Sequence, residues 1–368
     1  FLYFIGSSAL SPSAMAQPAP VCQQEHEPLP ADLRRAPMFA WPTALLALVS
    51  VLMWAATHWW LIVRSGLVVV GEPGPFGIPS GLRFADGVGW LDARYLAAIA
   101  ALAVSAYAAF TPMHDASHAS IARGKRMLWL NAAIGHLSGL PLAAPFDLFR
   151  YLHLQHHKYT NIAPHDPDLW VSGGATGYSQ LTAFLLPFRC LTIVWVGYVG
   201  HYAAAVPTRP PREALSGVGF LALFKFLPLL SPLVLPSYAS YLLWGFLLPT
   251  EIAAAFLGLA FDYLPHRPSA DARLHHATSV ISLIEERNPL DETPSRAFKI
   301  GTAALTPFLL YQNYHLVHHL YPYLPFYHYS RVYWRLRVAL NKRGHAARTL
   351  FPLVVFRDEE RHPRPRFH

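Results

Sequence analysis

Gln312-Asn313-Tyr314-His315-Leu316-Val317-His318-His319 is the stretch that decides how this chain is read. It holds a His-x-x-His-His cluster. His153-Leu154-Gln155-His156-His157 repeats the pattern upstream, and His114-Asp115-Ala116-Ser117-His118 adds a pair four residues apart. On a helix, positions i, i+3 and i+4 share one face, so each cluster can aim its imidazoles at one point. Imidazole suits iron, zinc, copper and nickel. Eight of them from three helices are more than one four- to six-coordinate ion can use, so the pattern implies two metal ions. With 20 His in 368 residues, one such cluster would be weak evidence. Three of them, each beside an apolar span, make a stronger case.

Composition sets the environment. The chain is 53% hydrophobic and 14% charged, with mean hydropathy +0.26. Apolar runs of about 18 residues or more indicate helices that cross a membrane. The fold expected is therefore all-α, a multi-pass membrane protein. The formal charge of +8 is not spread evenly. Arg331 to His368 carries ten Lys/Arg against three Asp/Glu. Basic charge beside apolar spans marks a cytoplasmic, lipid-facing surface. No soluble basic domain of the kind that binds nucleic acid is evident. The two cysteines, Cys22 and Cys190, support neither a disulfide framework nor a thiolate metal site.

Three segments follow along the chain. Residues 1–37 form a polar, Pro-rich flexible lead-in, with Met15 the first candidate start. Residues 38–334 form the membrane domain, and residues 335–368 a basic tail. Within the membrane domain, Trp41–Val63 and Tyr95–Met113 are spans, the second running straight into His114. Val218–Pro236 and Tyr238–Phe261 are two more, parted by a Pro-Ser turn. If the three clusters share metals, they lie on one side of the membrane, so an even number of crossings separates His157 from His315. Leu181–Val206 and Met127–Phe146, both interrupted apolar runs, are then interfacial or re-entrant. The result is four spans plus interfacial helices, with both ends and all clusters on the basic side. The neutral loop from Arg64 to Arg94 and the turn near Pro236 lie opposite, in accord with the positive-inside rule.

Other residues are candidates for the same site. Asp262 and His266 are four residues apart at the exit of the fourth span. His266 could be a ninth ligand, and Asp262 could hold a metal-bound water or orient an imidazole. The alternative is a capped helix end. Glu251 lies inside that span, where a carboxylate is costly and a functional hypothesis by default, unless it reaches the far interface. Asp166 and Asp168 either brace the second cluster or form a Pro-containing turn. His275 and His276, together with His58, His136, His165, His201, His328 and His345, are read as structural or solvated.

Neutral nitrogen ligands in a dry surrounding suit O2 chemistry, and the substrate would reach them from the bilayer. No His-Glu-x-x-His, Gly-x-Ser-x-Gly or phosphate loop supports a hydrolase. A metal transporter would hold its ligands near the bilayer midplane rather than at span ends.

Over roughly Tyr95 to Trp334 the three-cluster pattern resembles the membrane fatty acid desaturase superfamily. Phe261-Asp262-Tyr263-Leu264-Pro265-His266-Arg267-Pro268 and the run from Gln312 to Pro322 look most like its desaturase-like β-carotene hydroxylases. The resemblance implies a cytosolic di-iron site held by His114, His118, His153, His156, His157, His266, His315, His318 and His319. It also implies O2 as co-substrate and two electrons from a separate ferredoxin or cytochrome, there being no fused haem or iron–sulfur motif. The expected reaction is C–H oxidation of a lipid in the inner membrane. Carotenoid-ring 3-hydroxylation leads, and acyl-chain desaturation is the alternative.

Overall fold

The computed structural model describes residues 28–34, 36–162, 165–172, 184–266, 278–345 and 347–351. Met15, Cys22, His275, His276 and the tail beyond residue 351 lie outside them.

Four helices are long and apolar enough to cross a membrane: Trp41–Val63, Ala93–Ser117, Pro211–Val234 and Pro236–Tyr263. Pro42 opens the first within its first turn, where a missing N–H costs nothing. Asp92 caps the second by accepting from the Arg94 amide. That second helix runs further than its apolar run suggests. It carries His114 in its last turn, with His118 as the residue that ends it. Leu235 leaves helical geometry between the third and fourth spans, and Pro236 restarts the chain. The fourth span packs against the second, and the second against the first.

Neither interrupted apolar run gives a straight spanning helix among the described residues. Lys125–Leu142 and Phe146–Tyr159 meet at 97°, a broken or re-entrant pair. The turn between them depends on backbone conformation and on close packing at its flanks. Ala143 has φ +49°, the left-handed end of a helix. A Cβ at Gly135 would fall within 2.4 Å of the Phe146 ring. The second run appears as a short helix Leu186–Leu191, a wide π turn Ile193–Tyr198 and the helix Val199–Ala205.

The loop after the first span carries a small antiparallel hairpin, Val68–Val70 against Leu82–Phe84. The Ser240 hydroxyl accepts from the Phe84 amide, and the Tyr238 hydroxyl donates to the Pro79 carbonyl. The hairpin thus lies against the turn near Pro236, at the ends of the spans remote from the histidines. A second strand pair, Ile281–Ser282 with Arg348–Thr349, is parallel and short.

Part of the lead-in is structured. Ala31–Arg34 is one helical turn, and Leu29 and Leu33 are buried against Tyr314, Val317, Tyr329 and Tyr333. At the other end, the helix Tyr329–Lys342 continues across residue 334.

Candidate metal centre

Each cluster rides on a helix that local sequence makes. His114 and His118 come from the end of the second span. His153, His156 and His157 sit on Phe146–Tyr159, whose apolar face is buried and which Asp147 opens. His315, His318 and His319 fill the short helix His315–Leu320. Tyr311, at φ +66°, turns the chain into it. His266 lies in the turn after the fourth span.

All nine imidazoles meet, and they sort into two groups of four with His157 between them. His114, His118, His153 and His318 form one group; His156, His266, His315 and His319 form the other. Within each group the ligating atoms lie within 4.8 Å of one another. In the first, His118 Nε2 is 2.9 Å from His153 Nε2 and His114 Nε2 is 3.0 Å from His318 Nε2. In the second, His319 Nε2 is 3.2 Å from His156 Nε2 and 3.1 Å from His315 Nε2. His157 Nε2 reaches His318 Nε2 at 2.8 Å and His153 Nε2 at 3.2 Å.

These contacts cannot all be hydrogen bonds. A neutral imidazole has one N–H and one lone pair. His318 Nε2 faces both His114 and His157, and its Nδ1 lies 3.0 Å from the Tyr329 hydroxyl. His156 Nδ1 lies 2.8 Å from Asp166 Oδ1 and 3.3 Å from Asp168 Oδ2, which keeps a proton on Nδ1. Both nitrogens of His266 are buried without a hydrogen-bond partner. Burial, with repulsion from neighbouring imidazoles, holds His118, His153, His157, His266, His315, His318 and His319 well below the ordinary histidine value. Burial pulls His156 down as well, but Asp166 and Asp168 outweigh it and raise it to about 9. Convergent, buried imidazoles, neutral apart from His156 and with the outer nitrogens of His156 and His318 braced, suit metal cations, whose binding would displace the His156 Nε2 proton. An all-imidazole set suits iron among others.

The carboxylates divide by role. Asp166 and Asp168 brace the second cluster, so the Pro-containing turn Pro167–Trp170 serves to present them. Asp262 stands outside both imidazole groups. The Tyr198 hydroxyl lies 2.9 Å from Asp168 Oδ1 and 3.4 Å from Asp262 Oδ2, linking the two. Glu251 does not reach the far interface. It sits 2.6 Å from Lys225 Nζ, and Trp195 donates to its other oxygen.

Sequence reasoning missed Asp115, Tyr198 and Lys225, and read Tyr329 as lining a substrate path or an interfacial belt, not as the partner of His318. Asp115 accepts from the Thr43 hydroxyl at 3.0 Å and the Phe326 amide at 3.2 Å, tying the first span and the third-cluster region to the first cluster. Only Lys225 carried a readable signal, a cation inside an apolar span.

Beside the imidazoles lies a mostly apolar cavity of about 80 Å³. Phe110, Met113, Phe149 and Asp262 help wall it. Phe149 stacks on His153 at 5.4 Å, and Phe110 lies 5.7 Å from His114.

A sequence model of the fatty acid desaturase family matches residues 93–351, more than half of the chain. An sn-1 oleoyl-lipid 12-desaturase of Anabaena variabilis is 35% identical over 97 residues, covering 24% of this chain and 26% of that protein. Its counterpart in Arthrospira platensis is 34% identical over 97 residues, covering 25% and 26%. An sn-1 acyl-lipid omega-3 desaturase (ferredoxin) of Nostoc sp. (strain 36) is 40% identical over 60 residues, covering 16% of each. The chain thus spans about a quarter or less of the length of these relatives.

Proposed function

This chain belongs to the fatty acid desaturase family, and on that premise we propose that it is a membrane oxidoreductase that desaturates an acyl chain. The reaction removes two hydrogens from adjacent methylenes. One O2, two electrons and two protons are consumed, and a double bond and two waters result. The observation that carries this reading is the apolar cavity walled by Phe110, Met113 and Phe149, with the Phe110 and Phe149 rings against His114 and His153.

His114, His118, His153 and His318 would hold one iron and His156, His266, His315 and His319 a second, with His157 between. Bound there, iron supplies the O2 chemistry that no acid or base side chain can perform on an unactivated C–H bond. The remaining work belongs to the protein. Phe110 and Phe149 exclude water and present a chain edge-on to the two groups. Asp166, Asp168 and Tyr329 fix the tautomers of His156 and His318. Asp262, with Tyr198, offers a proton-holding pair where the cavity meets the imidazoles. The electrons come from a separate carrier of ferredoxin or cytochrome type, docking on the basic face. That face is cytosolic in the inner membrane.

The relatives named above act on lipid acyl chains, which favours the acyl reading over the carotenoid ring. The test is expression in a bacterium that accumulates β-carotene, with fatty acids and pigments profiled together beside a His315→Ala control. New acyl double bonds, absent from the control, are expected. Hydroxylated carotenoid with unchanged acyl chains would overturn the proposal.

A further inference from the structure

The cavity beside the imidazoles has a charged residue in its wall. Lys225 sits in the wide π turn Ala222–Phe226, midway along the third span. It is 2% exposed and lines the cavity. Its Nζ is 2.6 Å from Glu251 Oε1, midway along the fourth span. Trp195 Nε1 donates to Glu251 Oε2 at 3.0 Å, and the Trp195 ring lies 5.9 Å from Lys225 Nζ. Charged side chains at such depth are costly and mark function by default.

The pairing meets only part of that cost. An ammonium has three donors. Glu251 is the hydrogen-bond partner of Lys225 among the described residues, and both its oxygens are engaged. Lys225 is also part of the wall of the cavity, whose other lining residues include Leu221, Ile193 and Val194. An ion pair serving structure alone has no need to face a ligand space. A wholly apolar ligand would leave the remaining donors unmet, and unmet buried donors are expensive.

We infer that Lys225 recognises the buried end of the lipid substrate, taking a hydrogen-bond acceptor oxygen there. That oxygen belongs to a terminal hydroxyl, or to a carboxylate that enters first. Glu251 and Trp195 hold the ammonium in place. Glu251 and Asp262 are about three turns apart, roughly 16 Å along a helix. The anchored oxygen and the imidazoles therefore grip the two ends of one extended segment, and Lys225 selects which carbons face the metals. This inference rests on the proposed function only in taking the cavity as the lipid site.

The test is thermal unfolding of the purified, iron-loaded protein in detergent, titrated with three probes of equal chain length. They are methyl stearate, its terminally hydroxylated counterpart and stearic acid. Stabilisation by the hydroxylated ester should set in at about tenfold lower concentration than by methyl stearate, the scale of a hydrogen bond to a charged group. A matching advantage for stearic acid alone would identify the carboxylate as the oxygen bound. The double variant Lys225→Met/Glu251→Gln, which leaves neither charge unpaired, should keep its iron and lose the preference. Equal potency of all three probes on the wild-type protein, or a preference that survives the double variant, would overturn the inference. Should the double variant fail to fold, the wild-type comparison decides alone. Binding is read without turnover, so failure here is distinct from failure of the desaturase reading. Acyl desaturation without oxygen preference sinks this inference only. Oxygen preference without new double bonds sinks only the reaction proposed.

Discussion

His156 shows how much one side chain's surroundings decide. Its Nε2 faces His319, while Asp166 holds its Nδ1 at 2.8 Å. A carboxylate there fixes the tautomer and makes the ring a better donor. Asp166→Asn should lower iron affinity by about 10–100-fold, read as iron retained per chain after dialysis against a chelator. Unchanged retention would assign Asp166 to the turn alone. Tyr329→Phe removes the hydroxyl 3.0 Å from His318 Nδ1 and should cost less, because the ring keeps its packing. Asp115 acts at longer range. Its carboxylate is buried and joins Thr43 to the Phe326 amide. Asp115→Ala leaves both donors unmet and should cost about 2–4 kcal/mol, measured as a drop in unfolding midpoint. A loss no larger than that of Thr43→Val would show that Asp115 does not couple the two segments.

Among the elements, the bent pair Lys125–Leu142 and Phe146–Tyr159 sets the second cluster's position. A straight continuation would carry His153, His156 and His157 away from the other imidazoles. Two positions make the bend. At Gly139 a Cβ would meet the Ala144 carbonyl at 2.4 Å, so Gly139→Ala should destabilise by about 1–3 kcal/mol. Ala143, at φ +49°, bears the cost of a Cβ in a left-handed turn. Ala143→Gly should therefore be neutral or stabilise by about 1 kcal/mol. A loss for Gly139→Ala with none for Ala143→Gly, read by thermal unfolding in detergent, would show that the turn governs this element, since helix propensity predicts the reverse. A loss in both would point to the helix ends.

At the scale of the molecule, the hairpin after the first span touches the turn near Pro236 while the nine grouped imidazoles gather at the other span ends. One face of the membrane then sees the hairpin and the other the histidines. In a Cys22→Ser background, Phe76→Cys should react with an impermeant maleimide on intact cells, Phe76 being fully exposed at the hairpin tip. Arg335→Cys, also exposed, should react only after lysis. Labelling of both on intact cells would refute the cytosolic placement. Removing iron should lower the unfolding midpoint, since the metal binds the folded chain alone. No change on chelation would count against a metal held by the buried imidazoles.

Sequence alone determined the spans, the family resemblance and the nine histidines that meet. Each rests on local physics, either twenty apolar residues against a bilayer or imidazoles spaced to share a helix face. It also favoured the carotenoid ring, because motif runs report the metal ligands and not the shape of the substrate space. Tertiary structure alone decided how the nine imidazoles divide, with His153 and His156 of one cluster falling in different groups. It alone turned Asp166 and Asp168 onto His156 and brought Tyr329 to His318. It also paired Lys225, in the cavity wall, with Glu251. Those contacts join separate helices, or a helix and the turn beyond it. Their geometry comes from how the helices pack, which no local spacing encodes.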